Sequence, residues 1–309
     1  MMQKDYELII AGAGPSGLTS GLYAGRAGIK SIILEKSFNG GQVLLTDSIE
    51  NFPGFAGGIQ TYTLIENITR QVKDVAVEIK QEEIVHIVCD SEYKVIKTNN
   101  SEYRTKSLII ATGAVPKAIG VKGEKELARK GVSYCAVCDG ALFRKKITAV
   151  VGGGDRALEE ALYLSKLADK VYLIHRRDKF RAVKVIQDRV LADKKIEVIY
   201  NTNIIEIQGT NKLEQLVLEN VIDQQIKTLK CDAVFIAIGL IPNTNFVSDI
   251  VKVDSNGFIL TDDNFQTNIS GVFASGDCRK NNFKQVITAC AEGAIAANSA
   301  KAYLDTFLQ

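Results

Sequence analysis

The sequence predicts an α/β protein made of two domains of related design, and three observations carry that prediction. The chain has 309 residues, more than one hydrophobic core usually serves. A strand, a glycine turn, a helix and a second strand follow one another near residue 12, and the same order returns near residue 152. The strands beside both turns are short, continuous apolar runs, the kind buried on both faces of a parallel sheet.

Taken in order, residues 6–11 form the first strand and Ser31–Glu35 the second. Between them Leu18, Leu22 and Ala27 recur at helical spacing, and Arg26 with Gly28 suits a helix end. Residues 75–110 alternate apolar and polar positions, with Val75, Val77 and Ile79 and later Val95 and Ile96. That pattern predicts antiparallel strands appended to the first unit. Residues 108–111 and 234–237 predict short buried strands, each running into a glycine, Gly113 or Gly239. The second unit has strands over 147–151 and 171–174 around a helix over 156–168, with Leu158, Ala161, Leu162 and Ser165 on one face. Residues 241–245 read as a linker. Strand and turn character then resumes, up to an Ala-rich helix from Gln285 to about Leu304. It carries Glu292 and Lys301 among small residues, which marks a packed helix and not a membrane anchor.

Composition narrows the function classes. Lys and Arg number 38 and Asp and Glu 36, a net charge of +2, so nothing favours a nucleic acid or an anionic membrane as partner. No stretch reaches the ~18 uninterrupted apolar residues of a membrane span, and the first ten residues lack a signal-peptide layout. The six cysteines, at 89, 135, 138, 231, 278 and 290, are too few and too scattered for a disulfide framework. A cytoplasmic setting is expected. Cys89, Cys231 and Cys290 read as small packing residues, as does Cys278, with a role beside a cofactor as its alternative, and His86 reads as a packed or surface histidine. Cys135 and Cys138, however, sit three apart.

Three motifs carry chemistry. Gly12-Ala13-Gly14-Pro15-Ser16-Gly17 follows a strand and opens a helix, the context a dinucleotide fingerprint needs. Its glycines let the backbone approach a pyrophosphate whose charge sits at the helix N-terminus. Glu35 closes the next strand 23 positions after Gly12, where a carboxylate accepts hydrogen bonds from ribose hydroxyls and repels a 2′-phosphate. The second fingerprint is Gly152-Gly153-Gly154-Asp155-Arg156-Ala157, and 23 positions after Gly152 stand His175, Arg176 and Arg177. A basic cluster at the ribose end attracts a 2′-phosphate, so this unit is expected to bind NADPH rather than NADH; the plainer reading is a solvated basic loop. Third, Cys135-Ala136-Val137-Cys138-Asp139 lies just upstream of that fingerprint. Two thiols at this spacing can close a small ring disulfide, with Asp139 placed to shuttle a proton. A zinc knuckle would need a second ligand pair, which two histidines and four dispersed cysteines do not supply; inert thiols are the remaining reading.

Taken together these motifs match a family. From about Tyr6 to Leu304 the chain resembles the low-molecular-weight thioredoxin reductases of bacteria and archaea, class II pyridine nucleotide-disulfide oxidoreductases. The likeness rests on Gly12–Gly17, Gly40-Gly41-Gln42, Glu50-Asn51-Phe52-Pro53-Gly54, Ala111-Thr112-Gly113, Cys135–Asp139, His175-Arg176-Arg177-Asp178 with Phe180-Arg181-Ala182, and the run Gly271 to Asp277.

That resemblance implies two Rossmann-like, three-layer ββα nucleotide-binding domains. The NADPH domain, 117–244, would be inserted into an FAD domain made of 1–116 and 245–309. FAD would be held by Gly12, Gly14, Pro15, Ser16, Gly17, Glu35 and Lys36, then by Gly41, Gln42, Asn51, Ala111, Thr112 and Gly113. Gly276, Asp277, Gln285, Val286 and Ile287 would complete that site. NADPH would be held by Gly152, Gly154, Asp155, Arg156 and Ala157, with His175, Arg176, Arg177 and Arg181 at its ribose end. Arg156 departs from the family, which carries a small hydroxyl residue there. Cys138 would face the flavin, Cys135 would attack the disulfide of thioredoxin, and Asp139 would act as acid and base. A homodimer is implied as well. Hydride transfer and disulfide exchange need the same place beside the flavin, so the domains would have to rotate between two arrangements. A dithiol oxidase or a reductase of another small redoxin shares these motifs. A nucleotide-binding sensor without turnover is disfavoured by the Cys135–Asp139 segment.

Overall fold

Leu8, Ile9, Ile10 and Ala11 are fully buried, and so many apolar residues in a row cannot face water on either side. They end the strand Lys4–Ala11, which therefore lies at the centre of a parallel sheet. The computed structural model describes residues 4–46, 48–90 and 92–307; the first three residues of the expected N-terminal region lie outside them. The chain divides into two units, Met1–Val115 with Ile241–Gln309, and Pro116–Leu240.

In the first unit the parallel strands run in the order Glu78–Gln81, Ser31–Glu35, Lys4–Ala11, Glu102–Ile110 and Val272–Ala274. Leu8 is in register with both Ser31 and Ser107. Glu102–Ile110 pairs with three strands of the same sheet. Its first half pairs antiparallel with Lys94–Thr98, which pairs with Ile84–Cys89. Its last residues, Leu108 to Ile110, pair in parallel with Val272–Ala274. The expectation of antiparallel strands throughout 75–110 is corrected at its start: Glu78–Gln81 runs parallel to Ser31–Glu35. The reason is the helix Thr61–Asp74, which precedes it and returns the chain as a crossover, and a crossover delivers a parallel strand.

The first fingerprint helix, Pro15–Arg26, buries Leu18, Gly21 and Ala24. Ala27, expected on that face, is instead its exposed C-cap. Against it packs the C-terminal helix Val286–Asp305, and the small residues explain how closely. A Cβ added to Gly293 would lie 2.2 Å from the Ser16 carbonyl oxygen, and Ser20 Oγ donates to the carbonyls of Ser16 and Gly293, both at 3.0 Å. Gln285 is the N-cap of this helix and shares a capping box with Thr288. No helix among the described residues is long and apolar enough to cross a membrane.

The second unit repeats the plan. Its parallel sheet runs Val132–Ser133, Ala233–Ile236, Ile147–Val151, Lys170–Ile174, Ile196–Ile199. The helix Asp155–Ser165 lays Leu158, Ala161 and Leu164 on Val150, Leu173 and Phe235 on one face. On the other face Ile204, Ile207, Leu216 and Leu218 pack on Ala149, Ile174, Val234 and Ile236. They come from the antiparallel strands Thr202–Gln208, Gln215–Asn220 and Ile226–Lys230. The result is a three-layer ββα sandwich of Rossmann type.

The two crossings of the chain are ordered strands that pair with each other, Ala114–Pro116 and Leu240–Pro242. The segment read as a linker is therefore tied down. Asn243 Nδ2 donates to the Thr112 carbonyl at 2.9 Å, and Thr112 Oγ1 donates to that of Asn243 at 2.7 Å.

Candidate functional site

Both glycine turns end in a helix N-terminus without a side-chain cap, so the first backbone N–H groups point outward. In the first turn two glycines are required by packing. A Cβ on Gly12 would lie 2.5 Å from the Ala111 oxygen, and one on Gly17 would lie 1.8 Å from the Gly12 oxygen. Gly12 also holds a φ of 106°, which side chains rarely adopt. Gly14 differs: nothing lies within 4 Å of its Cβ position. The second turn matches it. Gly152 is closed by Ala157 and the Ala237 oxygen, both at 2.5 Å, while Gly154 faces open space. Each turn is thus sealed on the protein side and open where a pyrophosphate would approach the helix end, so both fit a dinucleotide.

Around the first turn, residues far apart in sequence converge on the carboxyl end of the sheet. Glu35 Oε2 accepts from the Ala13 N–H at 2.8 Å and Oε1 from the Ser37 N–H at 2.9 Å, leaving lone pairs for ribose hydroxyls. Ser16 Oγ donates to Ser275 Oγ at 2.7 Å, which brings Gly276 and Asp277 to the turn. Gly41 passes 3.6 Å from the Gly14 Cα when measured from its Cβ position. Asn51 Nδ2 donates to Gln285 Oε1 at 3.0 Å. Thr112 and Gly113 follow the strand that ends at Ile110. Lys36, Gln42 and Ile287 are exposed and Val286 is half-buried. Sequence reasoning passed over Lys284, whose Nζ donates to the carbonyls of Asp277 (2.8 Å) and Arg279 (3.1 Å). Burial first of all pushes its pKa down. It also passed over Glu292, which is buried and accepts from the Gly276 N–H at 2.7 Å and from Arg279 Nε at 2.9 Å.

The basic segment of the second unit divides into two kinds of residue. Arg176, Arg177 and Arg181 are exposed, and none has an ion-pair partner among the described residues. The Arg181 N–H donates to the Gly153 oxygen at 2.7 Å, and Asp155 Oδ1 accepts from the Val183 N–H at 2.7 Å, so this loop is pinned to the glycine turn. His175 is not part of the charged cluster. It is 6% exposed, lies under Gly153 and against Phe180, and its Nε2 pairs with the Lys179 oxygen at 3.0 Å. Burial, helped by the three arginines, holds its pKa below the usual value, and the ring supports the glycine turn from beneath Gly153.

This burial has a pH signature. The unfolded chain keeps the His175 proton up to about pH 6.5, whereas the folded chain has released it at a lower pH. Stability therefore rises as pH climbs from the folded pKa to the unfolded one, and falls on the way down. Melting midpoints between pH 5 and 7.5 should show a shallower slope for His175→Gln than for the wild type.

Cys135 and Cys138 are joined as a disulfide, Cα to Cα 5.3 Å, in a turn between Val132–Ser133 and the single helical turn Ala136–Asp139. Both are half-buried. The Cys138 N–H donates to Cys135 Sγ at 3.2 Å. Ser133, which the motif did not single out, anchors the turn. Its Oγ accepts from the Cys135 N–H at 3.2 Å and donates to Asp139 Oδ2 at 2.5 Å. Behind it, Glu124 is buried and accepts from Tyr134 Oη at 2.8 Å and from the Gly120 N–H at 2.7 Å. Burial and then that carboxylate raise the Tyr134 pKa. No sequence pattern marks Ser133 or Glu124, because each matters only through its partner. The other thiols are packing groups: burial pushes Cys231 up to about 12 and Cys278 up to about 11. No metal-binding group of His, Cys, Asp and Glu occurs among the described residues.

Comparison with known proteins agrees with this geometry. The family model for pyridine nucleotide-disulphide oxidoreductases matches residues 6–293. A thioredoxin reductase from Treponema pallidum is 43% identical over 305 residues, covering 99% of each chain. The crystal structure of thioredoxin reductase from Streptococcus pyogenes is 41% identical with a TM-score of 0.93, covering 99% of this chain and 100% of that one. The enzyme from Lactococcus lactis, in its FR conformation, is 40% identical with a TM-score of 0.69, covering 97% and 99%. The likeness to thioredoxin reductases read from the motifs thus extends over the whole chain. With two glycine turns open to dinucleotides and a Cys135–Cys138 disulfide beside the second, the chain belongs to the pyridine nucleotide-disulphide oxidoreductase family.

Proposed function

We propose that the chain is an NADPH-dependent thioredoxin-disulfide reductase. FAD would be held by the unit Met1–Val115 with Ile241–Gln309, and NADPH by Pro116–Leu240. The single observation that carries the reading is the Cys135–Cys138 disulfide placed in the same unit as an open glycine turn flanked by exposed arginines. The naming of relatives about 40% identical as thioredoxin reductases supports the choice of substrate.

When bound, FAD supplies the step that turns a hydride from NADPH into an electron pair for the disulfide. The remaining chemistry belongs to the chain. Glu35 and the bare N-terminus of Pro15–Arg26 bind and orient the first dinucleotide. Gly154 admits the second, and Arg176, Arg177 and Arg181 hold its 2′-phosphate. Once the disulfide is reduced, the Cys135 thiolate attacks one sulfur of the thioredoxin disulfide and expels the other as a thiolate. Cys138 then attacks the mixed disulfide, releasing the second thioredoxin sulfur and restoring Cys135–Cys138. Asp139, oriented by Ser133, transfers the proton that each leaving sulfur needs. The balance is one NADPH and one proton consumed for two thioredoxin thiols formed.

Delivery of hydride and exchange of thiols compete for one place beside the ring, so the cycle requires two arrangements of the units, with the paired crossings at Ala114–Pro116 and Leu240–Pro242 as the hinge. A disulfide that must be reduced in every cycle suits a cytoplasm, and a homodimer is the assembly the resemblance implies. The test is anaerobic titration of the flavin-loaded protein, first with NADPH and then with oxidised thioredoxin. NADPH should bleach the flavin absorbance and thioredoxin should restore it. Bleaching that only another disulfide substrate reverses would reassign the partner, and no bleaching by NADPH would refute the reading.

A further inference from the structure

Arg156 stands in the first turn of the helix Asp155–Ser165, where a small hydroxyl residue is expected. Its guanidinium is engaged twice. Nε donates to Glu160 Oε1 at 2.9 Å, one turn along the same helix, and Nη2 donates to the Tyr134 carbonyl at 2.9 Å. Tyr134 directly precedes Cys135. Glu160 is only 7% exposed. Burial raises its pKa, while Arg156 and the backbone N–H of Ala136 hold it down. Arg156 therefore grips the redox turn at the carbonyl before Cys135 while pairing with Glu160 one turn along its own helix.

An Arg–Glu pair at this spacing is ordinary on a helix surface. Here it joins the helix that would carry the second dinucleotide to the segment that carries the thiols. Without the guanidinium, a mostly buried carboxylate would face the turn in which a thiolate must form, and like charges disfavour each other at short range. We propose that Arg156 is a positioning residue for the redox pair, holding the Tyr134 carbonyl so that the Cys138 amide reaches the Cys135 sulfur, and screening Glu160 from the reduced thiols. The proposal rests on the reading of Cys135–Cys138 as the working redox couple.

The experiment is the equilibrium of the protein with reduced dithiothreitol, followed by alkylation of free thiols and mass measurement. One protein S–S bond and two dithiothreitol thiols become two protein thiols and one cyclic dithiothreitol disulfide, so atoms and electrons balance without nucleotide or thioredoxin. Arg156→Ser is expected to shift this equilibrium about fivefold towards the protein disulfide, the worth of one partly exposed ion pair. Arg156→Lys, which keeps the charge without the forked reach, should fall between wild type and Arg156→Ser. Arg156→Ser combined with Glu160→Gln removes the unscreened charge and should return to within about twofold of the wild type. The Arg156 side chain is 42% exposed, so its loss spares the core. No shift in Arg156→Ser, or as large a shift in the double variant as in the single one, overturns the positioning role. A wild type that reduces thioredoxin with NADPH but shows no Arg156 effect loses only this proposal. A wild type whose disulfide resists dithiothreitol loses the redox reading as well.

Discussion

Cys135→Ser and Cys138→Ser will each let NADPH reduce the bound flavin while slowing thioredoxin turnover by roughly a thousandfold or more, as loss of a nucleophile does in covalent catalysis. The reason is that each sulfur does what the other cannot. With Cys138 alone, the sulfur that attacks the substrate is missing. With Cys135 alone, the attack succeeds but the mixed disulfide has no internal thiol to resolve it. The two variants should therefore differ in product. Cys138→Ser should accumulate a covalent adduct with thioredoxin on non-reducing gels, and Cys135→Ser should not. Stopped-flow absorbance separates the flavin half-reaction from the thiol half-reaction. Either variant turning over thioredoxin near the wild-type rate would remove the dithiol from the mechanism.

Replacing Arg176 and Arg177 by Gln together should lower kcat/KM for NADPH by about a hundredfold, because each charge-assisted bond to a phosphate is worth about 1.5 kcal/mol at the low end suited to exposed side chains. The loss should fall on KM, since a 2′-phosphate lies far from the reacting carbon and binds equally in ground and transition states. Values for NADH should hardly change. Arg181 is expected to contribute in the same sense, and His175 less, because its ring is buried. Steady-state rates with both nucleotides decide the matter. Equal losses with NADPH and NADH would mean that the arginines support the loop and do not read the phosphate. Raising ionic strength should weaken NADPH binding to the wild type more than to the double variant.

Much of the fold and of the site was legible in the residues in order. Gly12 to Gly17 and Gly152 to Ala157 announce their turns because a glycine that must approach another backbone atom tolerates no side chain. The strands beside them announce themselves because burial on both faces favours apolar residues. The spacing of Cys135 and Cys138 allows a small ring disulfide, and the fold closes it. The misread elements failed for a physical reason. Glu78–Gln81 alternates like an edge strand, yet its direction is decided by the helix before it. Ala27 fits the helical period but falls one residue past the last turn.

The side chains that tune the site were hidden for a different reason. Ser133, Glu124 and the Arg156–Glu160 pair act through partners that the chain brings together only when it folds. His175 shows the limit most plainly. In sequence it sits beside two arginines and reads as a third positive group, while in the fold Gly153 and Phe180 enclose it and burial lowers its pKa. The sequence by itself determined two dinucleotide turns, one reducible pair of thiols and the family, since those depend on residue type and spacing within a short stretch. Tertiary structure alone decided which cations stay in water, which carboxylates are buried, and what holds the redox turn. Solvation and hydrogen bonding depend on neighbours from distant strands, and no local pattern records them.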